Sequence, residues 1–486
     1  MRELFLDYIT DIKKKAQRDI FSVINVTLIS NPYITSFPKK FILKEKPTKK
    51  SLSLHFIKNT LKFYIKELYL FISYLIAFII YKIFYTKGKP KIDNETILID
   101  IFFLTDKIIR EKQFNENYFK GLYEVLNRYN KRYIFLPRVY GANRNPFKLI
   151  EFFKTISKEK GEFLFEFELI SFIDFIKIAN LIIKYPFKSL NLIQKGERLF
   201  NIELIEDIPK QSFDAFSRYI YGANIAKIFN GKIYSWSEFQ VIERAFNYGI
   251  RVNNPNIELN GCQFYLTYDT YFNTYIDDID FDMLSSFHTV LVNGEYYILD
   301  REKVKYQRGV SLRYDRVFKF KREKIGDSIV LLGSYIEKDT KYMLDALKGF
   351  ENVIFKNHPA VDIKKFGKIE PNIKVVEENI YSLFQDANIV VSTASGTAVE
   401  AVACGVSVII MSSRENLTSN PLIEVGKGKI WDLVVSSNEI KRVYNRLLQY
   451  KKRNIQEIEE IALWYRDNFF IEPTEENIIK AFKLEK

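Results

Sequence analysis

A chain of 486 residues with 47% hydrophobic content can build two or three domains with large cores, and global disorder is excluded. Its net charge of +13 is unevenly placed, with about 17 Lys/Arg against about 6 Asp/Glu in residues 1–90, so roughly +11 of it lies there. Two cysteines, Cys262 and Cys404, lie far apart in apolar contexts. Neither suits a zinc site, and so few thiols in this length point to a reducing compartment.

The opening residues, Met1 to Asp19, mix charged and apolar residues without a signal-peptide core, so the cytoplasm is expected. Residues 1–90 are read as a basic, membrane-associating region. Nucleic acid is not expected as a partner, because no zinc-finger, RRM or helix-turn-helix signature accompanies the charge. An anionic membrane surface fits better, since aromatic and aliphatic residues alternate with the lysines. The uncharged run Leu68–Tyr81, LYLFISYLIAFIIY, reaches about 18 residues when extended to Tyr85, against about 20 for a span. A short or tilted span, an in-plane helix and a core helix all stay open, with membrane association favoured over a span. Polar connectors at Lys46–Ser51 and Thr86–Pro90 interrupt this region.

After the second connector, Thr96–Asp100 and Tyr133–Pro137 read as strands, and Asn117–Arg128 and Asn145–Lys158 as helices. Phe172–Leu190, rich in lysine and aromatics, reads as a helix packed on the sheet, with a share in the membrane-facing side as the other reading. Phe213–Phe229, Lys232–Trp236 and Glu238–Asn247 continue as helix, strand and helix. From Gly326 a second alternation starts. Its expected strands are Ser328–Leu332, Val353–Phe355, Ile373–Val376, Ile389–Ser392 and Ser407–Ile410. Its expected helices are Lys338–Leu347, Tyr381–Asp386, Gly396–Cys404 and Ser437–Gln449. The pattern predicts an α/β protein with two Rossmann-like domains facing a cleft, residues 91–318 and 319–486, behind the N-terminal extension.

The chemistry concentrates at strand ends of the second half. The run Ala387–Val391 stops in Ser392-Thr393-Ala394-Ser395-Gly396-Thr397. Hydroxyls and free N–H groups at a helix start make an anion site, although Ser and Thr are also ordinary N-caps. Gly333-Ser334 and Lys356-Asn357-His358-Pro359 follow two other strands. Pro359 holds His358 extended, aiming the imidazole at the cleft, where a phosphate would favour its charged form. Of the other histidines, His288 reads as structural and His55 has no assigned role. The general base should come from the first half, with Glu238 first and Asp100 and Asp106 behind it. Gln240 and Arg244 follow Glu238 on the expected helix. Asp277–Asp282 contains Asp-x-Asp but reads as a solvated acidic loop rather than a metal site, so neither metal nor cofactor is expected.

The segment DANIVVSTASGTAVEAVACGVSVII resembles the nucleotide-binding half of GT-B glycosyltransferases, in which a strand end and the following helix hold the donor phosphate. The resemblance puts Glu400 where a glutamate reaches the ribose, and Gly333, Ser334, Lys356, His358, Pro359, Ser392, Thr393, Ser395, Gly396 and Thr397 around the donor. KNHPAVDI is similar to the His-Pro motif of bacterial transferases that use CMP-activated acidic sugars, the sialyl- and Kdo-transferase groups. Their paired Ser-Ser/Thr motif is matched by Ser392-Thr393. Tyr234 to Tyr265 resembles bacterial surface-carbohydrate biosynthesis proteins with a W-x-E-x-Q segment. The motif resemblance spans about Gly333 to Met411, with a looser one back to about Thr96. It implies an inverting, metal-independent transfer of Kdo or a sialic-like nonulosonate from a CMP donor to a surface glycan, glycolipid or glycoprotein. Catalysis would use Glu238 or Asp100 with His358, in a protein peripherally attached to the inner membrane from the cytoplasm. A transferase using a nucleotide diphosphate sugar or CDP-glycerol, and a non-catalytic nucleotide-binding assembly protein, remain the alternatives.

Overall fold

The computed structural model describes residues 2–47, 51–116, 118–140, 145–322 and 326–485. Two six-stranded sheets organise it, each wholly parallel. The first contains β1 (Ile97–Leu104), β2 (Tyr133–Tyr140), β3 (Lys232–Trp236), β4 (Glu258–Gln263), β5 (Thr289–Val292) and β6 (Lys305–Arg308), in the order β2-β1-β3-β4-β5-β6. The second contains β7 (Ser328–Leu332), β8 (Val353–Lys356), β9 (Ile373–Val376), β10 (Ala387–Ser392), β11 (Ser407–Met411) and β12 (Trp431–Val434), in the order β12-β11-β10-β7-β8-β9. Strands such as SIVLL and SVIIM are buried along their whole length, because helices cover both faces of a parallel sheet. Strand order reverses between β1 and β3 in the first sheet and between β7 and β10 in the second. A doubly wound sheet opens its ligand crevice at such a reversal, outside the carboxyl ends of the strands. The expected α/β, two-domain GT-B-like plan is therefore present.

The ends of the chain depart from the expected boundaries. Helices α1 (Arg2–Lys15), α2 (Ile20–Ile29) and α3 (Phe37–Ile42) are no free basic arm. Phe5, Ile9, Ile12, Val26 and Phe37 share a core with Phe200, Leu204 and Phe272 of the first domain, and every residue of α2 is buried. These helices also reach the second domain, where the Tyr33 hydroxyl meets Ser419 Oγ at 2.7 Å and Asn416 Nδ2 donates to Pro32 O at 2.9 Å. Lys13, one of the counted positive charges, is buried between Asp277 and Asp280. At the other end, helix Glu475–Phe482 returns to the first domain, where Tyr234 Oη donates to Phe482 O at 2.7 Å.

Helix α4 (Leu52–Phe84) packs lengthwise on the first domain through Asn59, Phe63, Glu67, Leu70, Tyr74, Ala77 and Tyr81. Helix Phe172–Ser189 lies beside it, with Phe71 edge-on to Phe175 and Tyr64 Oη donating to Ile183 O. The helix expected from Asn117 starts at Leu122, Asn117 itself falling outside the described residues, and the connector at 46–51 is described only in part.

Candidate functional site

The crevice of the second sheet collects most of the expected donor residues. β10 ends at Ser392, and the turn to helix Thr397–Ala403 brings Ser392 and Thr393 to the reversal beside β7. Both side chains are buried, at 0% and 1% exposure, yet neither hydroxyl has a hydrogen-bond partner. A buried hydroxyl left alone costs stability, and two adjacent ones at the crevice are free to donate to a ligand there. Ser395, Gly396 and Thr397 form the half-exposed rim of the turn. Across the reversal, Gly333 follows β7 and donates its N–H to Lys356 O at 2.9 Å. A Cβ on Gly333 would sit 2.9 Å from His358 N, so glycine is what lets the strand ends carrying Gly333 and His358 close up. Ser334 turns its hydroxyl back to accept from Ile336 N–H at 3.0 Å, a local turn just ahead of helix Glu337–Ala346.

His358 is half-buried, and its Nδ1 accepts from Ala360 N–H at 3.1 Å. The proton of the neutral ring therefore sits on Nε2. Burial pulls the imidazole below its ordinary pKa, so the free ring is neutral and offers Nε2–H as a donor. Lys356 is a correction. Its Nζ donates to Glu378 O at 2.6 Å and Glu377 O at 3.3 Å, carbonyls beyond β9, on the far side of β8 from β10. Pro359 is exposed in the loop. Glu400 is buried and accepts from Tyr381 Oη at 2.6 Å. Burial raises its pKa, with Tyr381 and Arg313 acting against the rise.

The first sheet's crevice lies between β1 and β3. Asp100, on β1, is fully buried, and its oxygens are held by Arg138 (Nε 2.8 Å, Nη2 2.6 Å) and Arg218 (Nη2 2.8 Å). Burial alone would raise its pKa, but the two guanidinium groups outweigh it and hold the carboxyl below its ordinary value. Glu243 takes the other arm of Arg138, and Arg138 also donates to Trp236 O at 2.7 Å. Asp100 is thus a scaffold ion, and the expectation of a base there is corrected. Asp106 is exposed, next to Lys148.

Glu238 is different. It sits beyond β3 in an extended loop, and the helix expected to start at it begins at Val241, with Gln240 and Glu243 as its capping box. Between them Phe239 adopts φ +56° while fully buried, a left-handed backbone that a bulky residue accepts only under constraint. Burial raises the Glu238 pKa, and Arg313 is the largest opposing influence. The W-x-E-x-Q segment now has a physical reading. Trp236 packs on Tyr118 at 4.6 Å, Glu238 faces the cleft, and Gln240 caps the helix while accepting from Asn31 at 2.8 Å.

Residues without a local motif also lie along the cleft. Arg313, exposed after β6, feels both Glu238 of the first domain and Glu400 of the second. Tyr268, beyond β4, lies near the Gly396 N–H, and a Cβ on Gly396 would meet Leu266 Cβ at 3.0 Å. Tyr33 and Tyr335 stack edge-on at 5.3 Å, and Tyr335 stands 6.2 Å from the His358 ring. Only the folded topology brings these residues together.

The acidic stretch proves to be neither a solvated loop nor an open cation site. Asp277 caps helix Asp278–Asp282, and Asp280 is buried against Lys13 Nζ (2.7 Å) and Arg244 Nη1 (2.6 Å). His288 Nδ1 accepts from Leu259 N–H at 3.1 Å, as a structural histidine would.

No family model matches the sequence, and neither does any curated protein. Among solved structures, the chain is similar to UDP-GlcNAc 2-epimerase from Neisseria meningitidis bound to UDP-GlcNAc, at 11% identity and TM-score 0.43, covering 80% of this chain and 100% of that one. It is similar to the calicheamicin glycosyltransferase at 12% identity and TM-score 0.37, covering 81% and 98%. It is also similar to the wall teichoic acid polymerase TagF soaked with CDPG, at 10% identity and TM-score 0.41, covering 89% and 99%.

Proposed function

We propose that this protein is a glycosyltransferase that moves an acidic sugar, Kdo or a sialic-like nonulosonate, from a CMP donor to a surface glycan, glycolipid or glycoprotein. The observation that carries the reading is the pair of buried, unpartnered hydroxyls on Ser392 and Thr393 at the β7/β10 reversal. Departure of CMP from the anomeric carbon leaves charge growing on one phosphate, and donors already aimed at it lower the barrier. Ser392, Thr393, the N–H groups of the Ser395–Thr397 rim and His358 Nε2–H form such a set. They are mostly neutral donors, which suits a single phosphate.

Glu238 fits the general base. It lies on the opposite domain, and its raised pKa brings a carboxylate nearer to the acceptor hydroxyl in proton affinity. Arg313, between Glu238 and Glu400, would neutralise the donor's carboxylate or phosphate. The test is transfer from CMP-Kdo and CMP-N-acetylneuraminic acid in EDTA, alongside UDP-GlcNAc and CDP-glycerol. Turnover of a CMP sugar in EDTA is expected. Turnover confined to a nucleotide diphosphate donor or CDP-glycerol, or nucleotide binding with no transfer or hydrolysis of any donor, would overturn the reading.

A further inference from the structure

We infer that α4 and helix Phe172–Ser189 together form a docking face for an anionic lipid bilayer, with α4 lying along the membrane surface instead of crossing it. At 33 residues and 1.5 Å per residue, α4 is about 50 Å long. It carries two apolar stripes. One packs on the protein from Asn59 to Tyr81. The other points to solvent, with Ile57, Leu61, Ile65, Leu68, Ile72 and Ile83 from 49% to 65% exposed. On the neighbouring helix Phe172, Ile176, Ile183 and Phe187 extend the surface, at 56% to 76% exposure. An exposed apolar area of this extent marks an interaction site.

The charges identify the occupant. α4 holds one acidic residue, Glu67, and the neighbouring helix holds one, Asp174. Both point inward and are buried, at 0% and 3%. Lys58, Lys62, Lys82, Lys177, Lys184 and Lys188 are exposed beside the apolar stripes. Lys177 pairs with Asp174 at 2.8 Å and Lys82 lies 3.6 Å from Glu168, which leaves Lys58, Lys62, Lys184 and Lys188 as the exposed lysines without an ion pair among the described residues. Apolar side chains fringed by such lysines match an anionic lipid surface, where the chains enter the interface and the ammonium groups meet headgroups.

A span is opposed by the inner stripe. Crossing would strip α4 from the domain and carry Glu67 and Asn59 into hydrocarbon, where ionised groups are expensive. Lys66 is also tied to the domain, donating to Pro209 O at 2.7 Å. Helices α1–α3 contribute nothing to this face, being packed between the two domains. Deleting residues 1–90 would therefore damage the fold and cannot serve as the test.

The test uses the full chain and sedimentation with vesicles of phosphatidylcholine alone or of equimolar phosphatidylcholine and phosphatidylglycerol. Binding to the anionic vesicles is expected, weakening as salt rises and at least tenfold poorer on the neutral ones. The exposed substitutions Ile65→Gln with Ile72→Gln, and separately Lys184→Glu with Lys188→Glu, should each lower binding at least tenfold while circular dichroism and thermal midpoint stay put. Membranes from producing cells should release the protein at alkaline pH. Equal binding to both vesicles, unaltered binding by both variants, retention after alkaline washing, or a loss of self-association in the variants without change on vesicles would each overturn the proposal.

Discussion

The carboxyl ends of the two sheets use their buried polar groups differently. In the first domain Asp100, Glu243, Arg138 and Arg218 are buried and joined by ion pairs that tie β1, β2, β3 and two helices together, with only Arg218 Nε left over in the network. In the second, Ser392 and Thr393 are buried and satisfy nothing. A closed charge network fixes a shape, because removing any member strands the others in a low dielectric. An open pair of hydroxyls waits for a ligand and weakens the empty fold slightly. Under the proposed function, the first sheet is the platform for Glu238 and the second receives the donor.

Substitutions can break this contrast. Glu238→Gln should keep the fold and lower turnover by roughly 10²- to 10⁴-fold, the usual worth of a general base, measured as initial transfer rate. The base acts deprotonated and its pKa is raised, so kcat/KM should fall as pH drops through a value above the ordinary carboxylate range. That limb should vanish in Glu238→Gln. Arg138→Leu should act on the platform, costing about 3–5 kcal/mol of stability by leaving buried Glu243 without its cation and Asp100 with Arg218 alone, read from urea unfolding. A stable Arg138→Leu protein would place the network outside the fold's essentials.

In the second sheet His358→Ala should weaken donor binding about 10- to 100-fold, the loss of one hydrogen bond to a charged phosphate, with little effect on unfolding. A smaller effect distinguishes the occupied histidine. Burial, then Arg251, lowers the His288 pKa to about 4. Between pH 6.5 and 4 the unfolded chain binds a proton there that the folded one refuses, so the contribution is complete above pH 6.5 and is lost as pH falls towards 4. His288→Asn should flatten that part of the stability curve without touching donor affinity.

The sequence carried the second sheet well, because continuous runs such as SVIIM leave strand as the natural reading between helical spacings. The site residues on its edge were legible for the same reason, since Ser392 and His358 directly follow such runs. β4 was hidden by its own composition. ELNGCQ buries Asn260, Gly261 and Gln263, and Gly261 is required because a Cβ there would lie 2.5 Å from the Phe287 ring. Glu238 was assigned to the right cleft but to the wrong element, since Phe239 holds the helix off until Val241. Arg313 and Tyr268 lie on loops without a local motif, so only strand order reveals them. The N-terminal charge count misled over α1–α3, where Lys13 is an internal ion-pair partner, whereas the apolar run in α4 was read correctly as helical. What the run lacked was the inner stripe, visible only once the first domain is folded against it.

Whether Ser392 and Thr393 receive the donor phosphate can be read from calorimetric titration of CMP into the full chain and into Thr393→Val, both in EDTA. Valine keeps the shape of threonine without the hydroxyl. CMP should bind the native chain, adding about 2.7 kcal/mol of stability at a hundredfold excess over Kd, and should bind Thr393→Val several-fold more weakly. The empty variant should be as stable as the native chain or up to about 1 kcal/mol more so. Equal CMP affinity in the two proteins, or a variant that is clearly destabilised when empty, would contradict the account.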